Sequence, residues 1–176
     1  MSARWIRALI VAGLPWIPGV ARAQQVTDFP RDGWSTKALS DEFDTRSMTL
    51  AGVRSVRGDS FYCFMGPERE ALHRPWCLFD VIAGAPADAT RNPELRFDED
   101  PAVEIAFSKE LLPHGSWYTD GSFTMVPGDE VIGRLRRART LTISYTDANG
   151  EARSVTFALR GSGAALDAAL AARPRQ

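Results

Sequence analysis

Apolar and polar residues alternate along two adjacent segments near the end of the chain. Residues 140–146 (TLTISYT) place apolar side chains at every second position, and the segment 151–159 (EARSVTFAL) does so from Val155 to Leu159, which is typical of a β-strand with one buried face. The link between them ends in Asn149-Gly150, a strong signal for a tight turn. These segments predict a β-hairpin. Residues 48–53 and 102–107 alternate in the same way and predict two more half-buried strands.

Two continuous apolar runs predict fully buried strands. Residues 60–65 (SFYCFM) and 76–83 (WCLFDVIA) are rich in aromatic and β-branched residues and are bounded by Gly or Pro. Residues 67–75 between them are polar and indicate an exposed connection. We expect the aromatic residues of both runs in the core rather than in a ligand cage: Phe61, Tyr62, Phe64, Trp76 and Phe79.

Helical spacing occurs twice, both times late in the chain. The first predicted helix starts at about Asp129, a plausible N-cap residue, and carries acidic residues at its start and arginines at its end, as the helix dipole favours. The second is an alanine-rich segment, 163–172, for which Ser162 is the predicted N-cap. Its Leu166 and Leu170 have the spacing of one helix face.

The remaining segments complete a mainly β architecture. Residues 24–46 are polar and predict an irregular N-terminal arm that docks Trp34 or Phe43 on the core. Residues 84–101 predict a long surface loop, and residues 116–126 predict two short strands around a turn. The expected fold is an antiparallel β-sandwich or a partly closed barrel with two short helices late in the chain.

The first 23 residues have the layout of a secretory signal peptide. Arginines precede the uncharged run 8–20, and Ala21-Arg22-Ala23 presents small residues at the two positions that a signal peptidase reads. The run is too short to span a bilayer, which needs about 20 residues. We expect cleavage after Ala23, release into a bacterial periplasm or beyond, an arm at 24–46 and a single β-rich domain at 47–172.

Charge argues against nucleic acid as a partner. The chain has 21 basic and 22 acidic residues, and three of the basic residues lie in the leader, so the mature chain carries a net charge of −4. Such a chain has no general attraction for phosphate backbones. No apolar run after the leader has membrane-spanning length, so no transmembrane segment is expected in the mature chain.

The two cysteines, Cys63 and Cys77, both belong to the mature part. In an oxidising compartment such a pair most simply forms one disulfide, here between the two fully buried strands. Their spacing differs from the C-x-x-C of redox pairs, and a zinc site would need two further ligands, for which the chain offers only two histidines. Free thiols are the remaining alternative.

Known catalytic patterns are missing from the sequence. There is no G-x-S-x-G nucleophile elbow and no phosphate-binding glycine loop. His73 and His114 lie in a charged segment and a turn, where surface roles are expected. The acidic cluster Asp98-Glu99-Asp100 is either a solvated loop, a weak cation site or part of a hydrolase. We predict no catalytic residue, no metal and no cofactor.

One basic cluster is present, formed by Arg134, Arg136, Arg137 and Arg139. It is either a solvated helix face that complements the helix dipole or a docking patch for an acidic partner or an anionic envelope lipid. It is the candidate site for a partner.

The order of motifs from residue 103 to residue 170 resembles a known group of proteins. A tryptophan strand (116–118) precedes the helix that ends in Leu135-Arg136-Arg137-Ala138, and the hairpin ends in Phe157-Ala158-Leu159-Arg160-Gly161 before a helix with Ala164-Ala165-Leu166. This layout resembles small periplasmic proteins of the invasion-associated locus B type, and also VasI-like accessory proteins of type VI secretion. The resemblance implies a single exported β-rich domain without a known catalytic site.

Three functions follow as hypotheses. The first is a non-enzymatic periplasmic domain that binds another envelope component, with a protein as the expected partner. The second is a hydrolase of envelope material with acidic residues near Asp98. The third is an inhibitor of a periplasmic or host enzyme that presents the segments 67–75 and 84–101. The sequence names neither the partner nor the oligomeric state.

Overall fold

The computed structural model describes residues 28–40, 47–66, 74–81, 86–88, 90–105 and 122–171. Within these ranges the strands are β1 (Ser35–Ser40), β2 (Ser47–Arg54), β3 (Ser60–Met65), β4 (Pro75–Asp80), β5 (Glu94–Phe97), β6 (Val103–Glu104), β7 (Ser122–Met125), β8 (Thr140–Thr146) and β9 (Ala152–Ala158). The helices are α1 (Asp129–Arg137) and α2 (Ser162–Ala171).

The strands form two antiparallel sheets. One has five strands in the order β1-β2-β3-β4-β7, and the other has four in the order β6-β5-β8-β9. The sheets are not closed into a barrel, so the sandwich is the correct one of the two predicted architectures. Neither of the described helices combines the length and the apolar character that crossing a membrane demands.

Aromatic side chains fill the space between the sheets. Phe79 of the five-stranded sheet makes edge contacts with Tyr145 and Phe157 of the other sheet, and Phe61 also contacts Phe157. Helix α2 packs against α1 and the strands β1, β2 and β3, and it adds Leu166 to the same core. The apolar positions of the alternating segments therefore meet in one interior.

The five-stranded sheet has a second apolar cluster on its outer face. Its buried members are Phe29, Leu50, Tyr62, Phe64, Trp76 and Leu78. At Gly52 a Cβ atom would lie 2.6 Å from Tyr62 Cβ and 2.8 Å from Phe29 Cζ, so only glycine lets these two rings pack directly on β2. The predicted core role of the aromatic residues in β3 and β4 is confirmed.

The disulfide predicted between Cys63 and Cys77 is present. The two residues lie directly opposite each other on β3 and β4, with their Cα atoms 4.0 Å apart, which is the close spacing of facing residues in an antiparallel ladder. Both are fully buried in the core between the sheets. The hairpin 60–80 is therefore joined by a covalent link as well as by its hydrogen bonds.

Several predicted elements are confirmed. The hairpin of β8 and β9, the strand near residues 48–53 and both helices lie where the pattern placed them. Trp34 docks on the core as expected, whereas Phe43 lies outside the described residues. The domain boundaries at 23, 46 and 172 remain predictions.

Three predictions about strands are wrong in part. The supposed loop 84–101 contains β5, whose Leu95 and Phe97 are buried. The supposed irregular arm contains β1, which pairs with β2. The strand predicted at 102–107 is reduced, in its described part, to the two exposed residues Val103 and Glu104.

Both predicted helix caps are corrected. Helix α1 starts at Asp129 itself, and Gly128 occupies the N-cap position without a side-chain hydrogen bond. Ser162 is the first residue of α2, and its hydroxyl donates to the carbonyl of Leu135 at 2.6 Å instead of capping its own helix. The backbone N–H of Ala165 donates to the carbonyl of Gly161, so the first turn of α2 is anchored on a glycine.

Candidate docking surface

Helix α1 is held in place at its C-terminal end. Ile132 and Leu135 are buried against the core, and the hydroxyl of Ser162 binds the carbonyl of Leu135. That carbonyl belongs to the last turn, which has no intrahelical donors for its carbonyls. The hydrogen bond therefore fixes α1 to α2, and the charged side of α1 remains on the surface.

Asp98 fixes the junction between α1 and β8. Its carboxylate accepts hydrogen bonds from the N–H of Arg139 at 2.9 Å and of Thr140 at 2.8 Å, and from the Thr140 hydroxyl at 3.2 Å. The backbone N–H of Thr140, followed by that of Arg139, lowers the pKa of Asp98. Asp98 has a φ of 50°, a left-handed conformation that aspartate tolerates better than most residues.

The predicted patch Arg134, Arg136, Arg137 and Arg139, here called the arginine surface, is interleaved with carboxylates. Arg134 pairs with Glu130 at 2.8 Å and with Asp100 at 3.8 Å. Arg136 pairs with Asp167 of α2 at 2.8 Å. The local positive charge is therefore smaller than the run of arginines suggests, because partners distant in sequence neutralise part of it.

Arg137 and Arg139 differ from the other two arginines. Both are exposed, and within the described ranges neither has a carboxylate within 4.0 Å, although the charge of Arg139 helps to lower the pKa of Asp98. The guanidinium nitrogens of Arg137 lie 3.3 Å from the position that a Cβ of Gly133 would occupy, so the side chain folds back along the helix. These two guanidinium groups lie on the junction of α1 and β8, which is held by the buried side of α1, by Ser162 and by Asp98.

The acidic cluster 98–100 serves the structure in two of its three positions. Asp98 binds the start of β8, and Asp100 pairs with Arg134. Among the residues that can be described, no group of three or more His, Cys, Asp or Glu side chains is arranged to hold a metal ion. The two histidines, His73 and His114, lie outside those residues, so no statement about them follows.

Asp147, unlike the exposed acidic cluster, is fully buried, and the sequence analysis missed its role. Its carboxylate accepts hydrogen bonds from the N–H groups of Asn149 and Glu151 and from Arg153 Nε at 2.8 Å. The hydrogen bond from Arg153 and those from the turn lower the pKa of Asp147. Aspartate at the start of a turn commonly binds the following backbone, and this was the available signal. Asp147 therefore shapes the β8–β9 turn.

Polar groups also lie beneath the outer face of the five-stranded sheet. Burial raises the pKa of Tyr62 well above its usual value, and its hydrogen-bonded neighbour Asp80 adds to this. The hydroxyl of Thr124 on the neighbouring β7 is fully buried and has no hydrogen-bond partner among the described residues. The run of apolar residues in β3 and β4 did not indicate this polar content.

The fold can be compared with known proteins on this basis. The structure of invasion associated protein B from Bartonella henselae matches with a TM-score of 0.57 at 13% identity, covering 80% of this chain and 94% of that one. The two chains share a fold. The predicted resemblance to the invasion-associated locus B type is therefore confirmed at the level of the fold. No protein-family model and no curated protein sequence matches the chain.

Proposed function

We propose that this chain is an exported, non-enzymatic β-domain that binds another protein of the bacterial envelope through the arginine surface. The observation that carries the proposal is the state of Arg137 and Arg139, which are exposed, without ion pairs among the described residues and mounted on a fixed corner. Arginine is enriched among the residues that dominate protein interfaces.

Export is supported by two independent features. The leader has the charge, length and terminal small residues of a cleavable signal peptide. The disulfide between Cys63 and Cys77 is of a kind that persists in oxidising compartments and is rare in the cytosol of most bacteria. A chain that begins at Gln24 and carries oxidised cysteines is the expected product.

Export can be tested by cell fractionation and intact-mass measurement. The full-length chain is expressed with its own leader, and the periplasmic fraction is analysed without reductant. We expect a species that starts at Gln24 and has a mass about 2 Da below that of the fully reduced chain, as oxidation of one thiol pair requires. A full-length, reduced chain in the cytosol would contradict the proposal.

Docking can be tested by reversing the charges of Arg137 and Arg139. We compare the native protein, R137E/R139E and the control R31E/R96E in photo-crosslinking within the envelope. Arg31 and Arg96 are also exposed and form no ion pair within the described ranges, so the control has the same net charge. We expect R137E/R139E to weaken the captured complex at least about tenfold and the control to leave it unchanged. Equal capture by all three proteins would contradict docking at this surface.

The neutralisation of Arg134 and Arg136 favours a protein over an anionic lipid as the partner. Binding to anionic membranes depends on the accumulated positive charge of a surface, at about 1 kcal/mol per basic residue. Here Glu130, Asp100 and Asp167 cancel part of that charge. Two oriented guanidinium groups beside carboxylates suit a complementary protein surface better.

A further inference from the structure

Strand β9 lies at an edge of the four-stranded sheet. Two hydrogen bonds that continue its ladder give the direction of its backbone groups: Leu159 N–H donates to the Arg139 carbonyl, and Asp147 N–H donates to the Glu151 carbonyl, both at 2.8 Å. The odd-numbered residues therefore point their N–H and C=O groups towards β8. Because this direction alternates along a strand, the even-numbered residues point theirs to the open side.

The even-numbered residues define the β9 edge: Ala152, Ser154, Thr156 and Ala158. Arg160 continues the same series beyond the strand, and its carbonyl accepts a hydrogen bond from Trp34 N–H at 2.8 Å. This contact confirms that the even-numbered groups face away from β8. It also shows that the chain accepts a backbone hydrogen bond on this side just beyond the strand.

The β9 edge carries few of the features that normally block an open strand. Among the described backbone hydrogen bonds, none engages the open side of its four residues. Its side chains are small and uncharged, and it contains no proline, whereas edge strands are usually short, charged or interrupted. With seven residues β9 is also longer than the other edge strands in the described part, β1 with six, β7 with four and β6 with two.

We propose that the β9 edge pairs with the β9 edge of a second copy of this chain, antiparallel and about a twofold axis through Val155. In this register Ser154 lies opposite the partner's Thr156, and Ala152 lies opposite the partner's Ala158. Facing residues that point to the shared edge exchange both of their hydrogen bonds, which gives about eight across the junction. The two four-stranded sheets then become one continuous sheet.

The composition of the edge favours a second copy over an unrelated strand. The register places hydroxyl opposite hydroxyl, repeating the pair that Thr142 and Thr156 already form within the sheet at 3.0 Å. It places alanine opposite alanine and brings no like charges directly opposite each other. A twofold axis through Ser154 would leave one end of the strand unpaired, and one through Arg153 would oppose two guanidinium groups. This self-complementarity is what an isologous interface requires.

The test uses two variants that differ only in the sign of one charge. S154K/T156K places lysines opposite lysines across the proposed junction, whereas S154K/T156E places each lysine opposite a glutamate. The association of the native full chain and of both variants is measured by sedimentation velocity from about 1 µM to about 1 mM. We expect the native chain and S154K/T156E to dimerise, and S154K/T156K to do so at least about tenfold more weakly.

A second measurement needs no variant. In the native chain, hydrogen exchange at the amides of Ala152, Ser154, Thr156 and Ala158 should slow as the protein concentration rises, because these N–H groups become bonded across the junction. A native chain that stays monomeric at about 1 mM overturns the proposal. Equal dimerisation of both variants also overturns it, as does hydrogen exchange at the edge amides that does not change with protein concentration. The outcome is distinguishable from that of the docking test, since neither Arg137 nor Arg139 belongs to the β9 edge and no variant here changes them.

Discussion

The two sheets are covered differently, and their sequences reflect this. In the five-stranded sheet, β3 and β4 are buried along nearly their whole length, on both faces. In the four-stranded sheet, β5 and β8 alternate strictly between buried and more accessible positions. An antiparallel sheet usually keeps one face in water, so continuous apolar strands indicate cover on the second face. A continuous run of apolar residues therefore indicates a strand that is covered on both faces, whereas alternation indicates a strand that is covered on one face.

The largest effect should come from the covered outer face. Trp76 is buried there, so Trp76→Ala is expected to lower the free energy of unfolding by about 3–5 kcal/mol. Ser154 occupies the outer face of the other sheet and is exposed, so Ser154→Ala should change it by at most about 0.5 kcal/mol. Urea unfolding of both variants measures the difference. Similar costs for the two would show that the outer faces are not distinct.

The disulfide should give the next largest effect, again in the five-stranded sheet. Replacing both Cys63 and Cys77 by alanine is expected to lower stability by about 3 kcal/mol, the chain-entropy estimate for a loop of about 15 residues. Thermal unfolding with and without reductant checks this. Reductant should destabilise the native chain once it unfolds, and it should have no effect on the double variant. Equal melting of the native chain and the double variant would refute a stabilising role.

A smaller change of opposite sign is expected at Thr124. Its buried hydroxyl has no hydrogen-bond partner in the part of the chain that the structure describes, and burying an unbonded hydroxyl is unfavourable. Thr124→Val should therefore raise the free energy of unfolding by about 1 kcal/mol. Thr142→Val is the matched control on the wet face, where it removes the hydrogen bond to Thr156 and should bring no gain. Destabilisation by Thr124→Val would mean that the hydroxyl makes a stabilising hydrogen bond in the native protein.

The smallest effect concerns the junction between β5 and β8 in the four-stranded sheet and depends on pH. The pKa of Asp98 is lowered in the folded chain, so its contribution is complete above the ordinary Asp pKa of about 3.9. It is lost as the pH falls through the lower folded-state value. Asp98→Asn should therefore melt below the native chain at pH 7, and the gap should close in acid. A gap that stays constant down to about pH 2 would contradict this assignment.

Local patterns predicted the parts of the fold that depend on local interactions. The β8–β9 hairpin and α1 have a turn signal or a charge order that needs no distant partner. Strand β5 was missed because it has four residues between Pro93 and an acidic turn, and its pairing with β8 is a long-range event. The Ser162 hydroxyl was assigned to its own helix because the carbonyl it binds lies in α1.

The candidate site also has one part that the sequence predicts and one part that depends on the fold. The four arginines are neighbours in sequence, so their grouping could be predicted. Their neutralisation could be predicted only in part: Glu130 lies four residues before Arg134 in the same helix, but Asp100 follows β5 and Asp167 lies in α2. Only the fold brings these carboxylates to α1, and only then do Arg137 and Arg139 stand out from the other two.

The burial of both cysteines has a consequence for the order of events during maturation. The sulfur atoms lie in the core between the sheets, beyond the reach of an oxidising enzyme once the sandwich has closed. The thiols must therefore be joined while β3 and β4 are paired but the second sheet has not yet packed over them. After closure the same shielding protects the bond from reducing agents, so the link is made during assembly and then persists for the lifetime of the folded molecule.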